Sequence, residues 1–145
     1  MFTHFEKKKV IALFEHTFLW EMVLANPDKE WDWDGLSSNP NITWEIVQAN
    51  LDKEWNWFEL SQHPNITWEI VQANLVIAVS SDGMRIPWCW SALSSNPNIT
   101  WEIVQSNPEK DWSWFWLSYN PSITWEVIQA NMDKQWDLQG LSINP

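Results

Sequence analysis

Few residues in this chain have the type and spacing that chemistry requires. Glu21, Glu45, Glu69, Glu102 and Glu126 form a regular series that suggests paired carboxylates for acid–base work. Identical residues on neighbouring copies of a packed helix stand about 10 Å apart, and each falls in a first turn, where the positive helix end favours a carboxylate. Capping accounts for the series. His4, His16 and His63 are widely separated, so no metal site is expected. Cys89 is the single cysteine and can form neither an internal disulfide nor a multi-cysteine cluster. It lies in a column of cap residues and reads as a stand-in for Ser. Asn41-Ile-Thr, Asn65-Ile-Thr and Asn98-Ile-Thr match the glycosylation acceptor pattern. The apolar run Val10–Phe14 after Lys7–Lys9 is stopped by Glu15 and His16, with no cleavage site behind it. The expectation is a cytoplasmic, non-secreted chain with those asparagines unmodified. No set of unlike groups converges as catalysis needs, so the chain is expected to be no enzyme and to carry no cofactor and no metal.

The 145 residues hold 19 acidic and 8 basic side chains, a formal charge of −11. Such a balance argues against neutralising nucleic-acid phosphates or docking on an anionic membrane. No apolar run reaches the roughly 18–20 residues of a membrane span. The compositional oddity is 15 tryptophans against 3 glycines.

Those tryptophans belong to a tandem repeat, which must be recognised before any element is assigned. Pro40-Asn-Ile-Thr-Trp-Glu-Ile-Val-Gln-Ala-Asn50 recurs from Pro64, Pro97 and Pro121, giving steps of 24, 33 and 24 residues. A degenerate copy precedes them at 16–39, so the spacing predicts five copies: 16–39, 40–63, 64–96, 97–120 and 121–144. The third contains nine extra residues, Leu75–Gly83. Each copy reads as two short helices. Thr43 is a candidate N-cap for the first, its hydroxyl accepting from Glu45 or Ile46, and Asn50 suits a left-handed closing residue. Asp32, Asn56, Cys89, Ser113 and Asp137 form the cap column of a second, shorter helix, for which a 3₁₀ form stays open. Helices this short are unstable alone, so the pattern predicts an all-α solenoid in which copies stack and tryptophan columns form the core. The Trp33 column is expected to be buried and the Trp31 column to be partly exposed.

The Asn-Pro turns, the 24-residue period and the alternation of longer and shorter helices resemble the leucine-rich repeat variant family. That resemblance implies a right-handed superhelix of α and 3₁₀ helices over residues 16–145. Trp stands where the family has smaller apolar residues, and one cysteine cannot ligate the iron–sulfur cluster associated with that family. The phrase Asn-Pro-Asn-Ile-Thr-Trp-Glu-Ile-Val is similar to tandem repeats encoded by giant DNA viruses, which implies a viral origin and a host-cytoplasmic setting.

Residues 1–15 open with Thr3-His-Phe-Glu6, a capping-box pattern that predicts an N-terminal capping helix. The insertion allows two forms: the preceding helix continuing to about Ser80, which is favoured, or a hairpin pairing Val76–Val79 with Met84–Ile86. Val76, Ile77 and Val79 are candidate contact residues there, because insertions in repeat arrays map to loops on one face. Specificity in such an array belongs to columns that vary. One reads Asp34, Phe58, Ser91, Phe115, Gln139; the next Gly35, Glu59, Ala92, Trp116, Gly140; a third Ser38, Gln62, Ser95, Tyr119, Ile143. Phe58, Glu59, Phe115, Trp116 and Tyr119 are the candidate partner-binding residues, since aromatic anchors dominate interfaces. The expected function is a non-enzymatic scaffold for a protein partner. The alternatives are a structural component associating with itself through the C-terminal copy, and an aromatic surface that binds carbohydrate or peptide.

Overall fold

The computed structural model describes residues 18–76 and 86–144. The chain divides into two compact units, one ending at Asn56 and the other beginning at Trp57. Among the described residues the fold is helical, with no strand. Residues 18–25 are helical, and after them short helices follow in two alternating sets. One set comprises Trp44–Gln48, Trp68–Val76, Trp101–Ser106 and Trp125–Ala130. The other comprises Trp33–Ser38, Trp57–Gln62, Trp90–Ser95, Trp114–Leu117 and Leu138–Ile143. All but the last begin on tryptophan. The proposed capping helix at 1–15, with His4 and His16, lies outside the described residues. So do Ile77, Val79 and the choice between helix and hairpin, although the helix Trp68–Val76 runs up to that boundary.

The second helices are α-helical and four or six residues long, against five to nine for the first. Their opening bonds span four residues, Leu36 N–H to Asp32 O at 2.9 Å and Leu93 N–H to Cys89 O at 2.8 Å. Only their last turn tightens to a three-residue bond, as in Asn39 N–H to Leu36 O. Side-chain caps support three starts: Asp32 accepts from Gly35, Ser113 from Trp116 and Asp137 from Gly140.

The first helices start differently from the sequence expectation. Thr43, Thr100 and Thr124 make no side-chain cap bond, while Thr67 accepts from Ile70 N–H at 3.4 Å. The hydroxyls donate to the carboxylates two residues on. Those threonine bonds, aided by each glutamate's own N–H, hold Glu45, Glu69, Glu102 and Glu126 below the usual carboxylate range. A carboxylate whose value drops on folding stabilises above its unfolded value and loses that contribution as pH falls through the folded one. Thr100→Val is therefore expected to return Glu102 toward its ordinary value in a carbon-detected NMR titration and to flatten the acid side of the stability curve. An unchanged Glu102 titration would refute the threonine assignment.

Two of the closing asparagines, Asn107 and Asn131, are not left-handed, with φ of −134°. The closing asparagines work through their side chains. Nδ2 donates back to a carbonyl four residues earlier, from Asn26 to Met22, Asn50 to Ile46, Asn74 to Ile70, Asn107 to Ile103 and Asn131 to Val127. Their own carbonyls then accept an indole N–H five residues on, from Trp31, Trp55, Trp112 and Trp136, at 2.8–3.0 Å. The Trp31 column is half-buried at Trp31, Trp112 and Trp136 and buried at Trp55 and Trp88, whereas the Trp33 column, expected to be buried, is half-buried at Trp33, Trp57, Trp90 and Trp114. The asparagine carbonyl gives the buried Trp55 indole its acceptor.

Successive second helices are joined by a polar ladder. Each serine of the Leu-Ser pair donates to the carbonyl four residues back and accepts a backbone N–H from the next helix's cap residue. Ser37 accepts from Asn56, Ser61 from Cys89, Ser94 from Ser113 and Ser118 from Asp137, all at 2.9–3.0 Å. Beside them, Asn96 Nδ2 reaches the carbonyls of Ser61, His63 and Ile66, and Asn120 Nδ2 those of Ser94, Asn96 and Ile99. Ser37, Ser61, Ser94, Ser118, Asn96 and Asn120 are fully buried. Such polar groups are tolerated in a core because each has its partners. His63 takes the asparagine's place in the column: it is buried, and its Nδ1 accepts from Asn65 N–H at 3.1 Å, as Asn96 Oδ1 does from Asn98. Around the ladder lie Ile42, Val47, Leu60, Ile66, Val71, Leu93, Ile99 and Leu117, each at most 2% exposed.

Candidate functional site

Within the second unit, the helix Trp57–Gln62 packs beside Trp90–Ser95, which packs beside Trp114–Leu117. Phe58 therefore sits one helix away from Phe115 and Trp116. The intervening helix carries Ser91, Ala92 and Ser95 in the same columns, and side chains this small leave room for rings to meet over it. Phe58 and Trp116 do so edge to face, with centroids 5.8 Å apart. Phe115 lies 5.3 Å from Trp116 and 5.5 Å from Tyr119, and Trp116 lies 5.9 Å from Tyr119. Four of the five partner-binding candidates thus form one cluster, in geometries that aromatic pairs favour. Phe115 is 47% exposed and the other three are half-buried.

The fifth candidate, Glu59, is half-buried beside Phe58 and accepts from Gln62 Nε2 at 2.8 Å. Tyr119 Oη donates to Asp137 Oδ2 at 2.9 Å, and that same oxygen caps the next helix through Gly140 N–H at 2.7 Å. The bond to the Asp137 carboxylate raises the Tyr119 phenol above its ordinary value, so it stays protonated at neutral pH. Of the insertion candidates, Val76 ends a helix and Ile77 and Val79 lie outside the described residues.

Gly140 keeps the cluster in place by being small. A Cβ there would stand 2.7 Å from the Tyr119 ring and 2.9 Å from Ser118 Cβ, too close for any side chain. Gly140→Ala is expected to push Tyr119 off Asp137 and to cost about 1–3 kcal/mol, as overpacking usually does. Urea unfolding measures the loss, and the tyrosine's absorbance titration should shift toward its ordinary value.

A second concave feature is a groove of about 490 Å³ walled by Trp101, Trp112 and Trp114, with Lys110 and Lys134 at its border. Lys134 Nζ lies 5.4 Å over the Trp114 ring, and Lys110 Nζ 5.6 Å over Trp90. Each ammonium also pairs with its preceding carboxylate, Glu109 or Asp133, at 3.0 Å. Among the described residues no group of three or more His, Cys, Asp and Glu side chains is placed to hold a metal, and no helix is long and apolar enough to cross a membrane.

Comparison with known families, curated proteins and solved structures finds no match. The chain's own geometry carries the functional argument.

Sequence reasoning passed over three sets of residues. The buried serines of the ladder recur in every copy and the asparagines in all but one, and that regularity was the available signal. Ile42, Ile66, Ile99 and Ile123, all buried, sit in the same phrase as the better-noticed Trp44. Trp125 is 61% exposed, against 8% for Trp44 and 9% for Trp68 in the same column, and no pattern in one copy announces that.

Proposed function

We propose that the chain is a non-enzymatic repeat scaffold that binds a protein partner through the Phe58–Phe115–Trp116–Tyr119 cluster. In this reading five 24-residue copies stack as a right-handed α-solenoid behind an N-terminal capping helix, in the cytoplasm. The regular ladder supports the stacking, because the same serine and asparagine bonds recur from one helix to the next. The observation that carries the binding role is the cluster itself. Its rings come from columns that vary between copies, yet they converge on one patch, with Phe115 exposed and the others half-buried, while the Leu-Ser and Trp-Glu pairs recur in every copy. Interface anchors are enriched in such aromatic side chains, surrounded by contacts that exclude water.

The test is a native pull-down with mass-spectrometric readout, comparing the intact chain with a Phe58→Ala, Phe115→Ala, Trp116→Ala, Tyr119→Ala variant whose helical content and thermal midpoint are checked first. One abundant partner recovered by the chain and lost from the variant is the expected result. Recovery of the chain alone would overturn the scaffold reading in favour of self-assembly. A second reading, an aromatic surface for carbohydrate or peptide, draws on the indole-walled groove. Saturable quenching of tryptophan emission by a glycan, abolished by Trp101→Ala, would favour it.

A further inference from the structure

The groove beside the helix Trp101–Ser106 departs from the packing of its neighbours. Trp20 stacks on Trp55 with centroids 5.9 Å apart, and Trp68 lies 6.2 Å from Trp112, so each of these indoles is covered by a ring of the following copy. In the same register Trp101 would meet Trp136. It lies instead 6.3 Å from Trp114 of its own copy, the two planes inclined at 58°, and a groove of about 490 Å³ opens along them and Trp112. Trp136 is itself engaged, edge to face with Trp114 at 5.1 Å and through its N–H to the Asn131 carbonyl. The opening therefore lies between parts that the chain contains. Its charge is anomalous as well. The chain carries −11, yet among the described residues the charged side chains lining the groove are Lys110 and Lys134. Lys134 Nζ is seated 5.4 Å over the Trp114 ring, where the negative indole face holds it. The carboxylates that pair with the two lysines, Glu109 and Asp133, are 62% and 72% exposed and stand outside the lining. Ion pairs this open to water are weak, so either ammonium can exchange its carboxylate for one on a ligand.

We infer that this groove binds an acidic saccharide of the uronic-acid type, its pyranose ring against the indoles and its carboxylate on the lysine ammoniums. The inference rests on the second reading above, that the groove takes a carbohydrate, and adds the charge that selects among carbohydrates. It is independent of the Phe58–Phe115–Trp116–Tyr119 cluster. The inclination of the walls favours a sugar over a flat aromatic anion. A planar ring is gripped best between parallel faces, whereas walls at 58° admit a puckered ring with C–H groups on both sides. Those C–H groups carry partial positive charge and meet the negative faces of the indoles. Gln105 and Asn131 add side-chain amides to the lining, the kind of group that hydrogen-bonds sugar hydroxyls. The volume lies in the range of small-molecule sites, roughly 300–1,000 Å³. In a chain this acidic, two cations beside an aromatic wall select an anion from its neutral isostere, because the rest of the surface repels it.

The test is titration calorimetry of the full chain with a glucuronate-containing disaccharide and, in parallel, with its methyl ester, which keeps the rings and removes the charge. The acid should bind one to one, about tenfold tighter than the ester at low ionic strength and converging on it as salt is raised. A variant carrying Lys110→Gln and Lys134→Gln should lose that preference while keeping the ester's affinity, with its thermal midpoint checked first. A second measurement needs no variant: the Trp101 indole N–H should shift in NMR spectra as the acid is added. Equal affinity for acid and ester overturns the inference and leaves the carbohydrate reading standing. Binding of neither overturns both. An acid preference that survives in the lysine variant, or a Trp101 signal that does not move, overturns the assignment to this groove. Displacement of the disaccharide by naphthoate at lower concentration would overturn it in favour of a flat aromatic anion.

Discussion

Asn120→Leu is expected to cost about 2–4 kcal/mol, because it strips the Ser94 carbonyl of its donor and the Ser122 N–H of its acceptor, and each such loss costs roughly 1–3 kcal/mol. The asparagine amide serves three carbonyls, those of Ser94, Asn96 and Ile99, at 2.9–3.0 Å, and its Oδ1 accepts from Ser122 N–H at 2.8 Å. Leucine has nearly the same size, so the substitution removes hydrogen bonds while keeping volume, and the effect reads polarity alone. A companion variant separates this from general sensitivity of the site. Nature already places an imidazole in this column at His63, where Nδ1 takes over the acceptor role. Asn120→His should therefore recover a large part of what Asn120→Leu loses. Urea unfolding of the three chains decides the matter, and a loss under about 1 kcal/mol for the leucine variant would refute the ladder as a source of stability.

Leu117→Ala is the second large effect, at about 2–5 kcal/mol for a leucine removed from a close-packed site. Leu117 is fully buried and ends a helix only four residues long. That helix has few bonds of its own, so Leu117 supplies much of its anchorage. Phe115 and Trp116 ride on the same turn. The variant should consequently disperse the aromatic cluster as well as lower the unfolding midpoint, and nuclear Overhauser contacts between Phe58 and Trp116 should vanish. Retention of those contacts in a destabilised Leu117→Ala would mean that the cluster holds itself together.

Much of this architecture was legible in the residues. A period of 24 with Trp-Glu in each copy fixes where one set of helices begins, and the column of Asp32, Ser113 and Asp137 fixes the other. The aromatic cluster was legible too, because Phe58, Phe115, Trp116 and Tyr119 depart from an otherwise constant frame. The partners of the polar groups were not. Thr43 has the type of an N-cap, yet its hydroxyl makes no cap bond and donates to the Glu45 carboxylate two residues on. Asn107, the counterpart of Asn50, has the type of a left-handed closing residue, yet its φ is −134° and its amide reaches back to Ile103. The burial of the Trp33 column was over-read because hydropathy ranks all indoles equally. The acceptor of the Trp55 N–H, the carbonyl of Asn50, lies five residues upstream, outside any helical or strand periodicity.

The rung between Ser61 and Cys89 spans 28 residues, while the other three rungs span 19, and its length of 3.0 Å matches theirs. Nine additional residues have thus been absorbed without disturbing the register on either side. The entropy of closing a flexible loop rises only with the logarithm of its length, by about 0.6 kcal/mol for each doubling. The junction after the helix Trp68–Val76 is accordingly a natural graft point. A reporter peptide or a small foreign domain spliced there would be carried at little thermodynamic expense, and natural variation in length should be confined to such joints and excluded from the rungs.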